Sequence, residues 1–462
     1  MVSSLDPRAS AHALAPFDGA ALSLAWGLPF AVLILSIALA PLIAPKLWHH
    51  HYGKIAALIV VGLLVPFTMT FGGAQTAHSV VHATVLEYVP FLAMLFALFT
   101  IAGGICVKGT LPGTLAGTPA ANTALIALGA AFASVMGTTG ASMLLIRPLL
   151  AANETRVYRV HAVVFFILLV GNVGGALSPL GDPPLFIGFL RGVDFFWTTG
   201  ALAQPTIFLC VTLLAAFYAL DTLLHRREGR HRTRHTRTSL SIEGAWNFLL
   251  LAAVIGTVLV SSRWRPGISI DVGGASVALE DALRSATLVA LGALSIFLTP
   301  AAVRAHNQFH WAPIVEVAKL FAGIFITIFP VLAMLEAGRD GPLAQIFMLV
   351  SDGTGERDNV MVFWLTGLLS AFLDNAPTYL VFFNLAGGDA DALMRQHSQS
   401  LAALSMGAVY FGALTYIGNA PNFMIKAIAE DRGVAMPSFF AYLAWASLAL
   451  LPLLAIVAVV WL

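Results

Sequence analysis

Charge is scarce in this chain. Of its 462 residues only 10% are Asp, Glu, Lys or Arg, against about 25% in a soluble domain. That scarcity excludes a surface bathed in water on all sides. Cysteine is scarcer still: Cys106 and Cys210 both fall in apolar stretches, so no disulfide framework is implied and simple packing accounts for each. The chain has no H-E-x-x-H, no G-x-S-x-G and no P-loop, so no sequence motif supports an intramembrane enzyme. Strand-period alternation over about 10 residues, the mark of a transmembrane barrel, is missing as well.

Apolar residues are abundant, at 59% of the chain. They fall in blocks of roughly 20, the length a helix needs to cross about 30 Å of hydrocarbon. The pattern predicts an all-α polytopic membrane protein. Full spans are expected at 22–44, 54–71, 86–106, 158–190 and 203–223, then at 246–262, 283–302, 310–335, 400–428 and 437–461. Two further apolar segments, Ala120 to Ala151 around GTTGAS and Val360 to Leu385 around LDNAPT, read as re-entrant hairpins. Residues 1–21, with Arg8 as the only base, read as an uncleaved tail rather than a signal peptide.

Lys and Arg gather in the loops of one face, which places that face in the cytoplasm and the N-terminus outside. The densest group, HRREGRHRTRHTR from His225 to Arg237, lies in a linker (225–245) that divides the chain nearly in half. It reads as a topology anchor that touches anionic lipid rather than nucleic acid.

GALSPLGDPPLFI at 175–187 is echoed by GALTYIGNAPNFM at 412–424, with six of thirteen positions identical. The offset of 237 also lays SVMGTTGASML (134–144) over AFLDNAPTYLV (371–381). Each half (22–224 and 246–462) therefore holds five spans and one hairpin in the same order. An odd number of crossings turns the second half upside down relative to the first. Inverted-topology repeats of this kind are a plan of secondary transporters, whose sites lie near the midplane among broken helices.

The glycines and prolines of these motifs break the helices. Asp182 before Pro183, and Asn419 two residues before Pro421, have the arrangement of an N-cap and a restarting helix. Asp374 and Asn375 precede Pro377, and Thr138 and Thr139 open the run toward Leu150. Four half-helix N-termini, each with a polar cap, are thus expected to meet at mid-membrane. Carboxylates are costly at that depth, roughly 2.5–3.5 kcal/mol, which makes Asp182 and Asp374 functional candidates. The competing reading is a cap that accepts bonds only from its own helix. Asn172, Asn375, Asn419 and Asn422, with Thr138, Thr139, Ser178, Thr378 and Thr415, supply neutral oxygens suited to a hard cation such as Na⁺. No resident cofactor and no structural metal are expected; His49, His50 and His51 read as polarity in a membrane-edge turn. Glu316 and Lys319 are spaced for an ion pair on one helix. Glu87 opens the corresponding span; a paired, interfacial role is expected for these groups, with a proton relay as the alternative, and His161 is expected at the membrane interface.

The paired motifs GTTGAS with SPLGDPP and LDNAPT with TYIGNAPN resemble those of the ion transporter superfamily. That group holds dicarboxylate and citrate transporters, arsenite permeases and D-type sodium/proton antiporters, and the likeness is greatest to the bacterial citrate transporter or sodium:proton antiporter branch. The resemblance implies an elevator-like secondary transporter, a homodimer, in the bacterial inner membrane. The hairpins depart from the Ser-Asn-Thr tips of the dicarboxylate transporters. They also lack the first Asp-Asn of the D-type antiporters, having Gly137-Thr138 there. Half-helix N-termini alone favour an anion. Two aspartates occupy them here, and no Lys or Arg lies in the four motifs. Na⁺/H⁺ antiport is therefore expected, with Asp374 binding Na⁺ and H⁺ alternately and Asp182 assisting. The alternative is Na⁺- or H⁺-coupled uptake of citrate or another carboxylate.

Overall fold

Alternate Gly- and Pro-punctuated apolar runs fold as long helices joined by short turns. The computed structural model describes residues 18–108, 117–228, 241–350 and 357–462. The expected tail and basic linker lie largely outside those residues. The first half contains α1 (Leu28–Ile43), α2 (Pro45–Phe71), α3 (Gly73–His82), a π-helical stretch Ala83–Tyr88, α4 (Val89–Gly103), α5 (Pro119–Met136), α6 (Thr138–Ala152), α7 (Val160–Leu169), α8 (Pro183–Leu190) and α9 (Trp197–Glu228). The second contains α10 (Trp246–Arg263), α11 (Leu279–Leu298), α12 (Ala312–Thr327), α13 (Phe329–Glu336), α14 (Asn359–Phe372), α15 (Asn375–Leu385), α16 (Ser398–Phe411), α17 (Ala420–Asp431) and α18 (Phe439–Trp461). Proline opens several of these helices, at Pro45, Pro119 and Pro183 among others, where its missing N–H costs nothing.

Among the described residues nine helices are long and apolar enough to cross a membrane, and α12 with α13 forms a further pair bent by 40°. This is a multi-pass membrane protein. Burial sorts the spans: 89% of the Val160–Leu177 window is buried, against 17% for Leu24–Ile43 and for Pro45–Phe71. The broken segments thus form the centre, and α1 and α2 flank it. Exposed Met69, Phe297, Leu448 and Val459 have the apolar character that lipid contact needs.

α5 and α6 pack on one another, as do α14 and α15, so the chain reverses at Gly137 and at Leu373–Asp374. The turns differ. Gly137 has φ 81°, in the left-handed region that favours glycine, whereas Asp374 has an ordinary extended backbone at φ −62° and ψ 137°. The two breaks also match in hydrogen bonding. Ser178 Oγ donates to the Ser134 carbonyl, and 237 residues on Thr415 Oγ1 donates to the Ala371 carbonyl. Leu180 N–H donates to Ser178 Oγ, and Ile417 N–H to Thr415 Oγ1, both at 3.2 Å. At Gly181 a Cβ would overlap the Gly175 carbonyl oxygen, and at Gly418 it would stand 2.8 Å from the Gly412 oxygen. Only glycine lets the chain cross itself so closely.

Several expectations are corrected. His161, expected at the membrane interface, is enclosed by protein: it is 2% exposed and its Nε2 lies 3.0 Å from Asp221 Oδ1. Asp221 also accepts from Arg156 at 2.6 Å and Asn122 at 2.8 Å, and Arg156 reaches Glu228 at 2.9 Å. This buried network pins the hairpin α5–α6 to α9. Lys319 makes no ion pair with Glu316 among the described residues; its ammonium lies over the Tyr52 ring at 5.6 Å. Cys106 is on a strand, Cys106–Lys108, paired with Ser241–Glu243, because the chain leaves α4 extended. The three histidines 49–51 stand on α2 rather than in a turn.

Candidate functional site

α8 starts where the first break ends, and its N-cap residue is Asp182, 1% exposed. The carboxylate does not cap its own helix. Its Oδ1 accepts from Thr138 Oγ1 at 3.2 Å and from Asn419 Nδ2 at 3.0 Å, and its Oδ2 accepts from Asn375 Nδ2 at 2.7 Å. The donors come from the start of α6, the start of α15 and the second break. Four separate chain segments therefore converge on one carboxylate. All three donors are neutral, and no Lys or Arg is among them. Three of about four lone-pair positions of the group are filled.

Asp374 behaves differently. Half-buried, it accepts from the Ala376 N–H at 3.1 Å and so caps α15. Asp374, the residue expected to lead, thus makes the bond of a cap. Thr378 is buried and bonds back to the Asp374 carbonyl at 3.0 Å, a local helical bond rather than one aimed at Asp182.

Asn172, Asn419 and Asn422 form a chain of amides between the two breaks. Asn419 Nδ2 donates to Asn172 Oδ1 at 3.2 Å and to the Gly171 carbonyl at 3.1 Å. Asn172 Nδ2 donates to Asn422 Oδ1 at 2.8 Å and to the Ile167 carbonyl at 2.8 Å. Asn422 Nδ2 donates to the carbonyls of Gly412 at 2.7 Å and Thr415 at 2.8 Å. These amides satisfy carbonyls that the broken helices leave unpaired, as backbone at membrane depth requires. Of the expected caps only Asp374 accepts an N–H of its own half-helix; the N-cap of α6 is Gly137, and Asn419 makes no such bond.

A cavity of about 100 Å³ adjoins Asp182, lined by Thr138, Thr139, Gly181 and Ala420 together with apolar side chains of α4 and α12. No Lys or Arg is among its lining residues. Thr139 makes no side-chain hydrogen bond among the described residues, so its hydroxyl is available to the cavity. Among those residues no group of three or more His, Cys, Asp or Glu is placed to hold a metal ion.

Residues 19–462 match a protein family described as putative citrate transport. The chain belongs to this citrate-transport family. No curated protein matches it. Glu87, noted in the sequence, proves to be paired, 2.6 Å from Arg191; in this transporter the residues that sequence reasoning missed are that partner, Arg191, and Asp221 with its partners. A lone arginine at a helix end gave no signal, because its carboxylate lies 104 positions away.

Proposed function

We propose that this chain is a secondary active transporter that exchanges Na⁺ for H⁺ by alternating access, with Asp182 carrying the exchanged cation. One observation carries the reading: a fully buried carboxylate accepts only neutral donors and has no basic partner. An isolated buried charge of this kind is expensive, and a proton or Na⁺ removes the cost. Either occupant can be exchanged for the other, which is the requirement of antiport. Thr138 and Thr139 add oxygens beside the carboxylate, and Asp374 stands as a second negative charge within its Coulombic range. The roles expected from sequence are thereby exchanged, with Asp374 capping and assisting.

The cavity favours a small ion. Its roughly 100 Å³ is well below the 300–1,000 Å³ of organic-ligand pockets, and it offers a carboxylate substrate no cation. The second reading, citrate or another carboxylate driven by Na⁺ or H⁺, draws on the family description and on the N-termini of α6, α8 and α17, whose residues line the cavity and favour an anion. There Asp182 would hold only the coupling cation, and the cavity would have to widen.

The recurrence of break hydrogen bonds at an offset of 237 supports inverted repeats in 22–224 and 246–462. A homodimer in the bacterial inner membrane belongs to the same proposal. In proteoliposomes with an imposed pH gradient, Na⁺ addition should collapse the gradient, and citrate should neither accelerate that collapse nor accumulate. Accumulation of radiolabelled citrate without a Na⁺-driven proton flux would replace the first reading with the second.

A further inference from the structure

The half-helix that begins at Asp182 ends at Arg191, its C-cap, about 14 Å further on at 1.5 Å per residue. Arg191 Nη2 lies 2.6 Å from Glu87 Oε1, and the two side chains are only 5% and 8% exposed. Glu87 stands in the π-helical stretch Ala83–Tyr88, an irregular turn of the type that recurs at functional positions. That turn is fastened to α12 by Tyr88 Oη, which donates to the Ala318 carbonyl at 3.0 Å. α8 packs on α15 and carries Asp182. The pair therefore joins the helices that hold the carboxylate to the α4–α12 wall on the other side of the cavity. A second contact acts at the same end of α8: the Arg284 guanidinium of α11 lies 5.3 Å from the centroid of the Phe189 ring. Glu336, exposed at the end of α13, is within Coulombic reach of both Arg191 and Glu87.

The positions of the second half that lie 237 residues on hold no such pair. Shifted by 237, Glu87 and Arg191 become Ile324 and Ile428. The same shift turns Asp182 into Asn419. Both charged features of α8 are thus absent from α17. A buried ion pair is seldom more stable than apolar residues of similar size, but removing one partner leaves an uncompensated charge. Such a contact is costly to keep for stability alone and well suited to marking one arrangement of two packed units.

We propose that the Glu87–Arg191 pair is a positioning tether that holds α8, and with it Asp182, against the α4–α12 wall in the conformation described, and that it must open during the transport cycle. This rests on the alternating-access reading but not on which ion is carried.

The test uses the full-length protein in sealed proteoliposomes, with Cys106 and Cys210 replaced by Ala and a reporter cysteine introduced as Val317→Cys on the cavity wall. A membrane-impermeant maleimide reads the accessibility of position 317. Glu87→Gln and Arg191→Gln should each change the labelling rate at least fivefold. The exchanged pair Glu87→Arg with Arg191→Glu should return it to within twofold of the parent. Glu87→Ile with Arg191→Ile, which copies the second half, should fold and label like the single variants; it serves should the latter not fold. Labelling within twofold of the parent in every variant, or an exchanged pair no closer to the parent than the singles, overturns the tether. Labelling that shifts as expected in a protein showing no Na⁺-driven proton flux leaves the tether standing and removes the antiport reading.

Discussion

Asp182 and Asp374 sit at the starts of two half-helices, and their surroundings differ in kind. Asp374 uses its carboxylate on the backbone of its own helix, accepting the Ala376 N–H. Asp182 makes no such bond and instead accepts side chains from three other segments. A cap of the first sort is interchangeable with Asn, Ser or Thr. The second is a charge around which the protein has assembled donors but no counter-ion. The same residue type in the same local pattern thus serves structure in one place and points to chemistry in the other, and the difference lies in what the rest of the chain brings to it.

The hardest test of that contrast is charge removal. Asp182→Asn should abolish Na⁺-driven proton flux, by about 100-fold or more, because the neutral amide can carry neither ion; a pH-sensitive dye inside proteoliposomes measures it. Finding Asp374→Asn inactive and Asp182→Asn active would reverse the assignment.

A second test compares the two hairpin tips. Gly137→Asp gives the first hairpin the acidic residue of the second, but at φ 81° and ψ 150°, where a side chain is strained by about 1–3 kcal/mol. Lower thermal stability in detergent and no gain in flux are expected. An unchanged melting temperature would show that the two tips are interchangeable after all.

Thr138→Val keeps the shape and deletes one donor to Asp182. Losing such a hydrogen bond costs on the order of 1–3 kcal/mol, so the Na⁺ concentration for half-maximal flux should rise by about tenfold with a smaller change in maximal rate. An unaltered Na⁺ dependence would remove Thr138 from the site. The smallest effect is expected at Asp374. Asp374→Asn should leave flux within about threefold of wild type, and Asp374→Ala should cost about 1 kcal/mol through the lost cap, visible as a melting point lower by about 2 °C.

Much of the fold can be read in the sequence, because the bilayer permits so little else. Apolar blocks of span length became helices, GALSPLGDPPLFI and its echo became breaks, and GTTGAS and LDNAPT became hairpin turns. The eleven site candidates were less evenly predictable, and two of them, Ser178 and Thr415, bond to hairpin carbonyls beside the breaks. Thr138, Asp182, Asn375 and Asn419 meet in one cluster, with Thr139 on the adjoining cavity wall. Asn172 and Asn422 fasten the breaks together, while Asp374 and Thr378 bond within α15. Type and position along the chain are the same kind of information for all of them, so only their partners separate them. The buried charges away from the site were hidden for a similar reason. His161 follows a polar loop, and nothing in that position tells that Asp221, 60 positions on, packs against it.

The sequence by itself determined that this is a membrane protein, where its helices break and which few carboxylates lie in the apolar interior, since composition, glycine and proline act locally. Tertiary structure decided which carboxylate gathers donors from other segments. The donors to Asp182 come from 44, 193 and 237 positions away, and hydrogen bonds over such separations exist only once the helices have packed.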